Sequence, residues 1–262
     1  MIHLGYDKWR RRKSRKRFSD RPISSAIEAL VCLGLLGAFG YGVFQYLHDS
    51  PALRVKSIRI KGTNIVSDQA VIEQSGLTTA DAILFLDTDA VRKRVEALPY
   101  VESCQVRRFF PDKVAISIVE RAPSATLLVN SRAYVVDEEC VVLRELTPGA
   151  DLVGPLITNV PRLSYAQPGQ RLACPELADA LAVWRAFCTT SMAHDVTLSE
   201  ISAASANQIC MYCEELSCEI RWRKGDFEQQ ARKLDVLWRT AGGQLDCNEY
   251  LDLRFGNDVA CR

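Results

Sequence analysis

The chain has 262 residues, 48% of them hydrophobic and 25% charged, an ordinary globular composition that is long enough for one or two domains with real cores. A net charge of +1 argues against a nucleic-acid binder, but the average conceals a split. Residues 1–22 carry nine cations against Asp7 and Asp20, a net +7, which leaves −6 for the remainder.

From Ala29 to Leu47 runs a stretch of nineteen uncharged residues, which as a helix spans about 28 Å, one hydrocarbon core. Ser25-Ala26-Ile27-Glu28 reads as a capping box, so residues 26–47 are predicted to form a membrane helix behind a basic tail at 1–25. Cations stay on the cytoplasmic side, which predicts an N-in, C-out protein. A cleaved signal peptide is the weaker reading, because the apolar run is long and Tyr46 to Ser50 offers no small-residue cleavage site. A localisation or nucleic-acid role for the basic run yields to its position beside a spanning helix. Within that helix Gly34, Ala38 and Gly42 recur every four residues, a small-residue stripe on which another helix could pack.

Beyond Pro51 the pattern turns to short elements. Ile58 and Ile60 alternate with polar residues up to Gly62 and predict a strand; Ser67 and Gly76 bracket a helix. A second helix starts near Asp87 or Thr88, carries Val91, Val95 and Leu98, and halts at Pro99. Strands follow from Val101 to Phe109 and from Val114 to Glu120 across a Phe110-Pro111-Asp112 turn, giving the order β-α-α-β-β. Arg107 and Arg108 are expected on a strand rim beside Glu120 and Arg121, as surface ion pairs of small worth. Further on, Asn130-Ser131-Arg132 predicts a hairpin turn, and Pro175 opens a helix with a Leu177, Leu181, Trp184 and Cys188 stripe. Asp226, capped with Gln229, opens a last helix that stops at Gly242-Gly243; strands near 249–255 and 258–262 end the sequence.

Catalytic patterns are scarce. There are three histidines, of which only His194 lies in the external part, where it reads as an exposed loop residue; no G-x-S-x-G, H-E-x-x-H or P-loop occurs. Cysteine is the unusual residue: Cys32 in the membrane segment and nine beyond it, consistent with several disulfides whose pairing the sequence cannot give. Cys210 and Cys213 form a C-x-x-C, which keeps a membrane-anchored thiol/disulfide or metal-binding protein as the alternative, although with Cys218 only three thiolates gather and no histidine is near. An outer-membrane assembly factor would need a barrel for which this chain has no room. No catalytic, cofactor or metal residues are therefore assigned, and no small-molecule substrate or nucleic acid is expected.

The blocks VKSIRIKGT at 55–63, LPYVESCQVRRFFPDKVAISIVERAP at 98–123, YVVDEECVV at 134–142 and YLDLRFGNDVACR at 250–262 resemble the FtsQ/DivIB bacterial cell-division family, whose β-α-α-β-β module is the POTRA fold. Cys140 stands where members of that family usually have glycine. The resemblance implies an α+β protein: a single N-terminal transmembrane helix, a POTRA domain at 53–122 and a C-terminal mixed β domain with flanking helices at 123–262. It implies a non-enzymatic divisome scaffold of the bacterial inner membrane, at the division septum, with its C-terminal domain periplasmic. Its partners would be FtsB- and FtsL-like bitopic division proteins and other divisome components. Partner binding would fall on Phe255, Asn257, Asp258, Val259, Ala260 and Cys261, by strand addition at the C-terminal edge, unless Phe255 and Val259 are core residues of a closing strand.

Overall fold

The computed structural model describes residues 21–205, 208–256 and 258–262. The chain divides into two compact units, residues 1–53 and 54–262. In the first, helix α1 runs Arg21–Asp49, and its Ile27–Asp49 stretch is long and apolar enough to cross a membrane. Ser25 lies inside this helix and does not cap it: Pro22 suits a first helical turn, and nothing between it and Ser25 interrupts the helix.

The second unit begins with a three-stranded sheet in the order β1-β3-β2, built from β1 (Ser57–Lys61), β2 (Val101–Phe109) and β3 (Lys113–Glu120). β1 runs parallel to β3, and β2 antiparallel to it. Two short helices cover one face. For α2 (Asp68–Ser75) the Ser67 hydroxyl accepts from Ala70 N at 3.2 Å, and Gly76, at φ +65°, ends the helix. For α3 (Thr88–Val95) the Asp87 carboxylate takes the Asp89 and Ala90 amides. Each such cap contributes about 1 kcal/mol. Val71, Val91, Val95, Val114, Ile116 and Ile118 form the interior, so the alternation in β3 is buried as its pattern requires.

The predicted rim of Arg107, Arg108, Glu120 and Arg121 is not formed. The β2–β3 register sets Val101 opposite Glu120 and Arg107 opposite Ala115, so the arginines lie near the turn and the acid at the open end of the hairpin. Arg108 Nη1 instead donates to the carbonyls of Ile83, at 3.4 Å, and Leu84, at 3.0 Å. Glu120 accepts from Ile65 N and Val66 N, at 3.0 and 2.8 Å. Arg121 reaches into the following sheet.

That sheet has nine strands in the order β12-β11-β10-β9-β8-β7-β4-β5-β6. The hairpin β4 (Ala125–Val129) and β5 (Arg132–Val136) turns at Asn130 and Ser131, both at positive φ, as a tight two-residue connection needs. β6 (Val142–Glu145) and β7 (Leu156–Thr158) come next, then α4 (Pro175–Phe187) with proline in its first turn. β8 (Leu198–Ser205), β9 (Gln208–Cys213) and β10 (Glu219–Trp222) fill the region where the sequence has little pattern. Helix α5 (Phe227–Thr240) precedes β11 (Tyr250–Asp252) and β12 (Ala260–Cys261). Asp226 makes no side-chain cap bond; its left-handed backbone, φ +49°, carries the carboxylate away from the first turn. One core, including Leu127, Ile157, Phe187, Ile201, Met211 and Trp222, lies between the sheet and the two helices.

Cys140 has φ +61°, the left-handed conformation that glycine adopts at no steric cost, which explains what a glycine would do at this place. The turn is held from outside: Asp137 Oδ1 accepts from Glu139 N and Val141 N, at 2.9 and 2.7 Å, while Asp137 Oδ2 accepts from Arg121 Nη1 at 2.7 Å. Arg121 also bonds Glu139, which in turn pairs with Arg171.

Candidate partner-binding edge

The two ends of the nine-stranded sheet are β6 and β12, so the last strand is an edge. It pairs antiparallel with β11, Leu251 opposite Cys261 and Asp252 opposite Ala260. Tyr250 and Arg262 exchange both main-chain bonds, at 3.1 and 3.3 Å, and alternation along an antiparallel ladder then turns the N–H and C=O of Cys261 away from β11, toward the open side.

Three anchors hold this short strand. Arg262 O also accepts from Asn248 N and Glu249 N, at 2.9 and 2.7 Å. Cys261 is joined by a disulfide to Cys247, fourteen residues earlier. Lys233, on α5, donates its Nζ to the carbonyls of Leu253 and Gly256, both at 2.8 Å, and fastens the turn that leads into β12. Burial, then Arg223, lowers the affinity of that amine for its proton.

Phe255 is 54% exposed and therefore not a core residue of a closing strand. Val259 packs half-buried against the core, Ala260 is half-buried, and Asp258 and Cys261 are exposed. Asn257 lies outside the described residues. Val259 also lines a groove of about 330 Å³ with Gln229, Arg232, Lys233, Val236 and Leu237 of α5. Neither this groove nor the lysine clamp has a signature in the sequence, since Lys233 alone reads as a solvated helix residue. Gly34 and Gly42 of α1 face open space, where an added side chain would meet nothing within 4 Å.

Beside the edge, Asp252 is buried and takes Arg254 Nη2 at 2.6 Å and Nε at 2.9 Å. Burial by itself raises this carboxyl, but the Arg254 side-chain and amide hydrogen bonds outweigh it and hold it below the usual 3.8. With the folded pKa below the unfolded one, the stabilisation is complete above 3.8 and is lost as pH falls through the folded value. The edge is expected to be insensitive to pH from neutrality down to the unfolded value and to loosen only below it. The Arg254 amide proton, which donates to Asp252 Oδ1, reports this titration by NMR.

The C-x-x-C is not a redox pair in this fold. Cys210 and Cys213 are three apart on β9, so the twofold repeat of a strand sends their side chains to opposite faces. Burial pushes the Cys213 thiol up to about 12, and burial raises Cys210 as well. Among the described residues, no group of three or more metal-ligating side chains gathers, and His194 lies exposed in a single turn, Ser191–His194. Burial likewise pushes Cys104 and Cys140 to about 11. Iodoacetamide at pH 8 is thus expected to leave Cys104, Cys140 and Cys213 unmodified in the folded protein and to label exposed Cys188 first, as peptide mass mapping would read.

The family described as "POTRA domain, FtsQ-type" matches residues 53–121. The cell division protein FtsQ of Anaeromyxobacter sp. (strain K) is 30% identical over 239 residues, 91% of this chain and 80% of the relative. FtsQ of Geobacter sp. (strain M21) is 26% identical over 88% of this chain and 83% of its own length. FtsQ of Myxococcus fulvus is 28% identical over 80% of this chain and 73% of its own. With its apolar anchor helix, its α+β architecture and an alignment that runs through both sheets, the chain belongs to the FtsQ family of cell division proteins.

Proposed function

We propose that this protein is a non-enzymatic scaffold of the divisome that binds FtsB- and FtsL-like bitopic partners by strand addition along β12. The edge itself carries this reading: β12 lies at one end of the nine-stranded sheet, and its Cys261 N–H and C=O point away from β11. An exposed edge of this kind is a template for another strand, and natural proteins usually shield it. Here the edge is pinned by a disulfide and a lysine clamp, which preorganises it and lowers the ordering cost of docking. The neighbouring groove on α5 offers apolar surface to the side chains of the added segment, and exposed Phe255 extends that surface.

The proposal orients the chain with its basic N-terminus in the cytoplasm and both sheets outside, at the septum of the inner membrane, with the Gly34, Ala38 and Gly42 stripe available to a partner's membrane helix. Phe255, Asn257, Asp258, Val259, Ala260 and Cys261 remain its proposed contact residues. Full-length protein lacking residues 258–262 is expected to lose capture of the FtsB-like partner in a pull-down while amide protection in β2 and β3 stays unchanged. Retained capture with that protection intact refutes strand addition at this edge.

A further inference from the structure

The end of the three-stranded sheet nearest its chain entry carries aromatic surface that neither the core nor the proposed docking edge uses. Phe109 and Phe110, at the β2–β3 turn, are 53% and 59% exposed. Arg108, next to Phe109, bonds the carbonyls of Ile83 and Leu84, and Val55 N donates to Asp81 O at 3.0 Å. Lys56 N and Ser57 N both donate to Asp112 O in the same turn, at 2.8 and 3.3 Å. Exposed Arg54, Lys56, Arg108 and Lys113 supply cations here against Asp81 and Asp112, the latter already paired with Lys56 at 3.5 Å.

The covalent chain limits how far this rim can be from lipid. Lys56 follows the last helical residue of α1, Asp49, by seven residues, and an extended chain covers at most about 3.5 Å per residue. Whatever the arrangement of the two units, Lys56 and the turn bonded to it therefore lie within roughly 25 Å of the end of the anchor. Exposed aromatic rings flanked by cations suit the headgroup layer, where rings partition into the interface and cations meet phosphate.

We propose that the Phe109 and Phe110 rim is a lipid-contacting surface that docks the three-stranded sheet onto the bilayer holding its own anchor. The rings enter the headgroup region, and Arg54, Lys56 and Lys113 pair with lipid phosphates. Such docking fixes the orientation of the module at the membrane instead of leaving it on a free tether.

The test uses the full-length chain in vesicles of zwitterionic phosphatidylcholine, with and without phosphatidylglycerol. Benzoylphenylalanine is placed singly at 109, at 110 and, as an exposed aromatic control far along the chain, at 165. Photolysis followed by mass spectrometry should give lipid adducts at 109 and 110 at least about tenfold above those at 165, the ratio expected when a ring partitions into lipid. A Lys56→Gln, Lys113→Gln variant should remove the added yield given by phosphatidylglycerol and keep the yield in phosphatidylcholine. Equal lipid yields at 110 and 165 overturn the proposal. So do adducts at 109 and 110 that form with protein and not with lipid, which would give the rim to a protein partner.

Discussion

Replacing Arg121 by methionine is expected to lower the stability of the folded unit by about 3 kcal/mol and its melting temperature by roughly 6–12 °C, because it strands a buried carboxylate. The Arg121 and Asp137 side chains are only 14% and 5% exposed, and the two approach to 2.7 Å. Removing the guanidinium leaves Asp137 its two amide donors but no countercharge. The exposed partner Glu139 contributes little by comparison, since water already screens it. The change also acts at a distance, because Arg121 follows β3 of the first sheet whereas Asp137 organises the turn between β5 and β6 of the second. Its amide donates to Tyr100 O at 2.8 Å, and Tyr100 packs on the small cluster of Val135, Val141, Leu143 and Leu146. Asp137→Asn keeps an oxygen for the two amides and drops the charge, so the double variant should lose about 1–2 kcal/mol less than the two single losses added together. Thermal denaturation of the four proteins reads the cycle, and a loss below about 0.5 kcal/mol for Arg121→Met would make this an ordinary surface pair.

Much of the first sheet was legible because its signals are local. Ser67 with Gly76 and Asp87 with the Val91, Val95 stripe mark helices by cap chemistry, and Val114, Ile116 and Ile118 mark a half-buried strand by alternation. What failed there was register: Arg107, Arg108, Glu120 and Arg121 are close in composition and sequence, yet pairing carries them to different ends of the hairpin and, for Arg121, to another sheet. The middle of the second sheet was illegible for a different reason. In β9 Ile209, Cys210 and Met211 are buried in succession, and β8 is built largely of serine and alanine, so neither shows a period of two. The terminal strands were visible, and the last of them, β12, lies at the C-terminal edge that the resemblance implied. The devices that seat them were not visible, since nine cysteines give no pairing and the lysine clamp joins residues twenty or more apart.

β12 comprises two residues, too few for ladder bonds alone to hold against fraying, and the Cys247–Cys261 disulfide closes a loop of fourteen residues across it. In the chain-entropy account, a link of this span contributes about 3 kcal/mol, an upper figure for a strand that can open locally. Serine at both 247 and 261 should therefore raise the open population of the strand by up to roughly a hundredfold. If strand addition requires β12 in place, the apparent affinity for the FtsB-like partner falls in proportion to the fraction of molecules with the strand still seated, with roughly a hundredfold as the upper limit. Amide exchange at Tyr250, whose N–H bonds Arg262 O, reports the opening directly, while protection in β2 and β3 stays as it was. Dithiothreitol should reproduce both effects in the unsubstituted protein and add nothing to the double-serine variant. Unchanged Tyr250 protection in that variant would show that Arg262 O, with its three amide donors, seats the strand unaided; unchanged affinity despite faster exchange would show that docking does not use β12.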